Sequence, residues 1–447
     1  MSTLTTLVTA IDTGDTAWLL VSSALVLLMA PGLALFYGGM VRSKSVLNMM
    51  MMTFGALAVI LIVWTVVGYS LAFGDDLGAG LLGNPLQYAG LGQLLAPAAD
   101  GAGTVPVILF AVFQGLFCVI TGALVSGAIA DRARFGAWLV FIGAWTILVY
   151  APIAHWVFDF SAGEHVGGWL ANQVGVIDFA GGTAVEICSG ASGLALALVL
   201  GKRIGFGRDP MRPHNLTLVM LGAGLLWFGW FGFNAGSALT AGHKAAVVFV
   251  TTLLAGAAGT VGWLVLERFR DGKATSLGAA SGMVAGLVAI TPSCGSLTPI
   301  GALVMGCVAG VVCAAAVGLK FRFGYDDSLD VVGVHLVGGL VGTLGIGLLA
   351  TAAAPTAVDG LFYGGGVTQL GKQALGAAAV LVYAFLVSGA LGLVIDKVMG
   401  FRLVPEHEVS GIDLAIHGET AYDFHTVTGG RAGGHGILRS LTHSEED

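Results

Sequence analysis

Glu186 and His335 are ionisable residues set inside long apolar runs, in "DFAGGTAVEICSG" (178–190) and "DSLDVVGVH" (327–335). Each follows an aspartate by eight residues, Asp178 before Glu186 and Asp327 before His335. An ionisable group deep in an apolar segment costs several kcal/mol and marks a functional position by default. A carboxylate and an imidazole together provide a proton acceptor and a proton donor, which is what a proton relay needs. The residues alone leave two arrangements open, a charged Glu/His pair and a neutral one. Asp178 and Asp327 read as helix N-terminal caps, where a carboxylate meets unpaired N–H groups and the positive end of the helix dipole.

The elements that position this pair are membrane helices. Hydrophobic residues form 56% of the 447-residue chain and charged residues only 10%, against about 25% in ordinary soluble domains. Mean hydropathy is +0.90. The 71 glycines suit helices that must approach closely in lipid. A span needs about 20 mostly apolar residues. Eleven such runs occur, at 17–41, 46–73, 104–130, 134–154, 180–201, 215–237, 245–266, 276–292, 299–319, 331–353 and 374–396, and the eighth is short. The expected fold is therefore all-α, a multi-pass protein of the cell (plasma or inner) membrane. The five cysteines lie in or beside apolar runs without metal-ligand spacing and are read as buried, reduced thiols. The net charge of -7 gives no reason to expect a nucleic-acid partner.

Lys and Arg set the orientation. Of the 19 basic residues, all but Lys244 and Lys372 follow odd-numbered spans. That side should be cytoplasmic, with the N-terminus outside and the C-terminus inside. The first 16 residues hold Asp12 and Asp15 but no basic residue, so no cleaved signal peptide is expected. Residues 1–401 are expected to form the membrane domain and 402–447 a cytoplasmic tail. Its segment "VPEHEVSGIDLAIHGETAYDF" is expected to dock on the membrane domain, and the Gly-rich end after Thr428 to be mobile.

Glu186 sits in the fifth span and His335 in the tenth, which run in opposite directions. Spans one to five and six to ten are candidate inverted repeats, with the eleventh outside the repeat, and such repeats commonly hold a substrate site near the midplane. Eight helical residues rise about 12 Å. From opposite faces of a core about 30 Å thick, the two side chains reach similar depth.

At this point the chain resembles the ammonium transporter (Amt/Mep/Rh) family. The motifs are "PGLALFYGGMVRSKSVLNMM" (31–50), "DFAGGTAV" (178–185), "GKRIGFG" (201–207), "PHNL" (213–216), "WFGFNAGSA" (230–238) and "GVH" (333–335), within a match from about Ala17 to Phe424. The resemblance implies a homotrimer with one narrow apolar pore per subunit. It implies an outer gate of stacked Phe117 and Phe233, and ammonium recruitment by Ser237, Phe158 and Asp178. The family's vestibule tryptophan aligns with Phe158, so Trp156 and Trp169 are candidate substitutes. Most members carry His where this chain has Glu186, paired with the His matching His335; some fungal permeases also carry Glu. PII-type cytoplasmic proteins plug the inner mouth of many members, and the "GIDLAIHGETAY" segment resembles the family's regulatory tail motif.

These readings predict electrogenic ammonium uptake. The ion is recruited and deprotonated, and ammonia crosses the apolar pore while the proton passes through the Glu186/His335 pair. No catalytic triad, nucleotide loop or cofactor motif points to an enzyme, a resident cofactor or a metal. The rival reading is an ammonium sensor with little or no transport.

Overall fold

The computed structural model describes residues 11–95 and 103–422. All of the regular elements among them are helices, joined by turns and three isolated bridges. Helices suit an apolar chain in lipid because each satisfies its own backbone N–H and C=O groups. Ten helices are long and apolar enough to cross a membrane: α1 (Thr13–Met40), α2 (Val46–Phe73), α3 (Val107–Ile129), α4 (Phe135–Phe158), α5 (Gly182–Leu200), α6 (Leu216–Gly236), α7 (His243–Arg270), α9 (Pro299–Phe323), α10 (Val332–Leu349) and α11 (Thr368–Met399). The remaining expected span, the eighth, is the shorter apolar helix α8 (Ser276–Ile290), 15 residues long.

Close approach through glycine holds the helices together. A Cβ on Gly222 of α6 would stand 2.3 Å from the Phe36 nitrogen of α1, and one on Gly306 of α9 would stand 2.2 Å from the Ala255 carbonyl of α7. Without a hydrophobic drive between helices in lipid, such backbone contact supplies the packing.

Several boundaries differ from expectation. Helix α10 stops at Leu349, because Ala350 turns to an extended backbone (ψ 148°), so the apolar stretch 350–353 lies outside it. Helix α11 starts at Thr368, six residues before the expected 374, because its polar first turns are tied to the protein. Gln373 is fully buried, accepts from the Ile177 N–H (2.8 Å) and donates to the Ile177 carbonyl (2.7 Å). Four cysteines are buried as expected, but Cys307 is exposed on the outward face of α9.

The tail docks on the side that carries the basic loops. Leu403 N–H donates to the Arg132 carbonyl (2.9 Å), and Glu408 accepts from Ile204 N–H (2.6 Å) and from Arg402 (2.9 Å). Asp413 accepts from the N–H groups of Leu47 (3.0 Å) and Asn48 (2.8 Å), capping α2 from a distant part of the chain. His417 Nε2 lies 3.1 Å from Asn48 Oδ1, and His214 Nε2 lies 2.9 Å from the Tyr422 hydroxyl. The segment after Thr428 lies outside the described residues.

Candidate functional site

The site starts at two helix caps. Asp178 Oδ1 accepts from the N–H groups of Gly181 and Gly182 (both 2.7 Å). Its Oδ2 accepts from the N–H of Thr183 (2.7 Å), the hydroxyl of Thr183 (2.5 Å) and the N–H of Ala184 (3.3 Å). Both oxygens are thus engaged in satisfying the orphan donors of the helix start. On α10, Asp327 Oδ2 accepts from Val332 N–H (2.7 Å), while its buried Oδ1 has no partner.

Each ionisable residue then sits on a π-helical turn, Glu186 on Gly182–Ile187 and His335 on Val332–Leu336. The turn at Glu186 forms because Val185 N–H (2.8 Å) and Glu186 N–H (3.0 Å) converge on the Gly181 carbonyl. Gly181 has φ +115°, a left-handed conformation that glycine adopts without a Cβ penalty. A π turn inserts one residue and rotates the side chains that follow, and such turns concentrate at functional sites. Here the turns bring Glu186 Oε2 to 2.7 Å from His335 Nδ1. The side chains are 1% and 4% exposed, so the pair is removed from bulk water. Gly339 makes room for it: a Cβ there would stand 2.9 Å from Glu186 Cβ.

On the side away from the basic loops, the rings of Phe117 and Phe233 stack in parallel, 4.0 Å apart and 10° from coplanar. Both are buried. Phe158, half-buried, meets Phe117 edge-on at 6.4 Å. The Ser237 hydroxyl donates to the Phe233 carbonyl (2.8 Å), which leaves its oxygen lone pairs for a donor arriving at this mouth. Trp156 and Trp169 do not replace Phe158 beside the stack. Trp156 packs on Tyr383 (4.7 Å) and Trp169 (5.9 Å), and its indole N–H donates to the Leu81 carbonyl. Trp230 takes an unanticipated place against Phe233, at 5.8 Å, with its N–H held by Thr291. On the basic side, a narrow cleft begins at His335 and is lined by Phe36, Tyr37, Met40, Val334 and Asp330.

A second ionisable network links the loops on the Phe117 side. His165 Nδ1 meets Asp75 (3.0 Å) and its Nε2 meets Asp159 (2.9 Å). Asp159 also meets His155 Nδ1 (3.2 Å), and His155 Nε2 meets Asp76 (3.4 Å). Burial disfavours the charged His165 ring, but Asp75 and Asp159 outweigh it and hold His165 above the ordinary histidine range. Burial pushes the Asp159 carboxyl up to about 6, against the pull of His165. No sequence signal joins Asp75 and Asp76 to this cluster, because they reach His165 and His155 from a loop about 80–90 positions away.

The family model described as the Ammonium Transporter Family matches residues 17–422. An ammonium transporter of Mycobacterium tuberculosis (strain H37Rv) is 59% identical over 440 residues, covering 94% of this chain and 92% of that protein. One from Bacillus subtilis (strain 168) is 46% identical over 413 residues, covering 92% and 98%. Among solved structures, Mep2 of Saccharomyces cerevisiae is similar with a TM-score of 0.80 and 38% identity, covering 89% and 88%. A protein described as a sensor Amt protein is similar with a TM-score of 0.83 and 28% identity, covering 90% and 98%.

Proposed function

The chain belongs to the ammonium transporter family and is a multi-pass membrane transporter of ammonium, and from that premise we propose how its own residues carry the ion. The observation that carries the reading is the buried 2.7 Å contact between Glu186 and His335. It lies between the stacked phenylalanines and a cleft on the basic side.

Ammonium is a small hydrated cation with four N–H donors. Ser237 and the aromatic faces of Phe158 and Phe117 replace part of its water at the outer mouth, the latter through cation–π attraction of about 0.5–2 kcal/mol. The Asp178 carboxylate, fixed by its cap, adds negative potential below. Past the Phe117/Phe233 stack the pore is apolar and favours neutral ammonia over the ion.

Glu186 gives the released proton a place to go. We assign its carboxylate as acceptor from His335 Nδ1–H, which leaves Nε2 with its lone pair as the proton-accepting atom. The N–H bond of ammonium breaks and an N–H bond forms at Nε2, taking the pair from one negative charge to a neutral total. Ammonia continues through the pore, and the proton leaves the pair by its own route. In a His–His pair the same step would create a net buried cation. The carboxylate offsets that charge.

The reading extends to the whole chain. Helices α1–α5 and α6–α10 form an inverted repeat, supported by matching Asp caps and π turns on α5 and α10. The short α8 completes eleven spans, and α11 lies outside the repeat. The N-terminus is outside, and the basic side with the tail faces the cytosol. Residues 1–401 are the membrane domain and 402–447 the regulatory tail. Three copies assemble into a homotrimer, and a PII-type protein meets the basic inner face. The test is an ammonium concentration jump on proteoliposomes. Wild type should give an ammonium-dependent current that His335→Ala abolishes. Ammonium binding with neither current nor ammonia delivered to the lumen in the wild type would refute transport and favour a sensor.

A further inference from the structure

Phe158, the ring that meets Phe117 edge-on, is the last residue of α4, and Asp159 follows it directly. Whatever fixes Asp159 therefore fixes the end of the helix that carries Phe158. The Asp159 carbonyl accepts from the Gly168 N–H (2.9 Å) and the Asn172 side-chain amide (2.9 Å). Its carboxylate meets His165 Nε2 with both oxygens, at 2.9 and 3.0 Å. The other ring nitrogen, Nδ1, faces Asp75 Oδ1 at 3.0 Å, on the loop after α2. One ring thus joins two carboxylates across the loops. A neutral imidazole has a single N–H and donates to one of them; the imidazolium has two and serves both. With both carboxylates ionised, loss of the second proton turns a lone pair toward a carboxylate oxygen, and one contact opens. Around the bridge stand His155, 3.2 Å from Asp159, and Asp76, 3.4 Å from His155. Tyr88 faces Asp75 and Asp159, Tyr69 faces Asp159, and the exposed Glu164 precedes His165 in the chain. His155 Nδ1 is shared with the Ala72 carbonyl (3.0 Å), so it does not replace His165 on Asp159.

We propose that His165 is a positioning residue for the mouth on the Phe117 side, because its second proton ties Asp159 to Asp75 and so holds the Phe158 ring in place for the arriving ion. The inference rests on the transport reading and adds to it a dependence of substrate affinity on the pH at that face. The bridge is open to that pH: the His165 side chain is 25% exposed and that of Asp75 67%. Burial works against the charged ring, but the two carboxylates hold His165 above the ordinary histidine range, so the bridge opens only above 6.5. As it opens, the end of α4 loosens and the ion–aromatic contact at Phe158 weakens. The Glu186/His335 pair is untouched, so the change falls on the apparent KM and leaves the maximal rate to the relay.

The test reads the initial rate of ammonia delivery to the lumen of oriented proteoliposomes. Ammonium chloride is supplied on the Phe117 side, and the pH of that side alone is stepped upward from about 6, where Asp159 ionises. The wild-type KM should rise about two- to fivefold, the share that one cation–π contact at an exposed site contributes. His165→Ala removes the bridge and should hold the KM at its high value throughout. Asp75→Asn should do the reverse and hold it low, because a neutral His165 can donate to Asp159 from Nε2 while Nδ1 accepts from the Asn amide. Maximal rates in both variants should stay within about twofold of wild type at each pH, which also shows that they fold. Should His165→Ala fail to fold, Asp75→Asn decides alone, and a KM that still rises with pH overturns the inference. So does a wild-type KM that does not move with pH, or a shift of the KM in one direction by both variants. No luminal ammonia from the wild type at any pH overturns the transport reading, and the inference with it.

Discussion

Replacing Glu186 by Gln is the sharpest single perturbation of the relay. Gln keeps the size and an acceptor oxygen opposite His335 Nδ1, now 2.7 Å from Glu186 Oε2, but removes the charge. The pair is almost fully buried, so solvent screens little of the difference. A hydrogen bond to a charged group contributes about 1.5–3 kcal/mol, and a neutral one about 0.5–1.5 kcal/mol. The net loss is about 1–2 kcal/mol in the proton-loaded state. At about 1.4 kcal/mol per factor of ten, the loaded relay becomes about five- to thirtyfold rarer. The assay is initial ammonium current in proteoliposomes, normalised to reconstituted protein and scanned across pH. Glu186→His should retain current, because an imidazole both accepts and donates, but with a different pH profile. A Gln variant within about twofold of wild type at every pH, with an unchanged profile, would refute the role assigned to the carboxylate.

Other substitutions test the surrounding structure. Gly339→Ala places a Cβ 2.9 Å from Glu186 Cβ and 3.0 Å from the Gly182 carbonyl, so overpacking of about 1–3 kcal/mol should lower the thermal midpoint and the current together. An unchanged midpoint would show that α5 and α10 yield freely there. Asp413→Ala removes the remote cap of α2, whose own Ser45 makes no capping bond, and should cost about 1–2 kcal/mol. Faster amide exchange at Leu47, Asn48 and 405–417 is the expected signature, and unchanged protection would contradict it. His165 and Asp159 both hold protons more tightly in the folded protein than in the unfolded chain. Asp159 therefore weakens the outer loops as pH rises from 3.8 to about 6, and His165 as pH rises from 6.5 through its raised folded value. Amide exchange over 74–88 and 155–170 should accelerate above that point in wild type and lose this dependence in His165→Gln; identical curves would exclude the clasp.

Much of the molecule was legible because lipid makes simple demands on sequence. Apolar length located the ten long helices and flagged the short α8. The repeated spacing of eight, from Asp178 to Glu186 and from Asp327 to His335, anticipated two caps and two side chains at one depth. In the structure Glu186 Oε2 and His335 Nδ1 meet at 2.7 Å. The π turns were not legible, because an inserted residue leaves the hydrophobic pattern almost unchanged. Hydropathy ran past Leu349, since Ala and Thr continue the apolar composition where the backbone has already turned. It missed the start of α11 because Gln369 and Gln373 look like loop residues until their partners on 175–177 are known. The Asp413 cap joins residues 365 positions apart, and the His165 bridge joins loops 90 positions apart. No local pattern records such pairings. The Phe117/Phe233 stack was expected from family motifs, because lone aromatics on apolar helices otherwise read as packing.

The central claim is that ammonium is split at the Glu186/His335 pair and that its proton crosses with the ammonia rather than returning outside. The direct measurement is the ratio of charge moved to ammonia delivered, taken on the same proteoliposomes by integrated current and by luminal ammonia assay. The account predicts one elementary charge per ammonia in the wild type. Ammonia delivered with no net charge would contradict it.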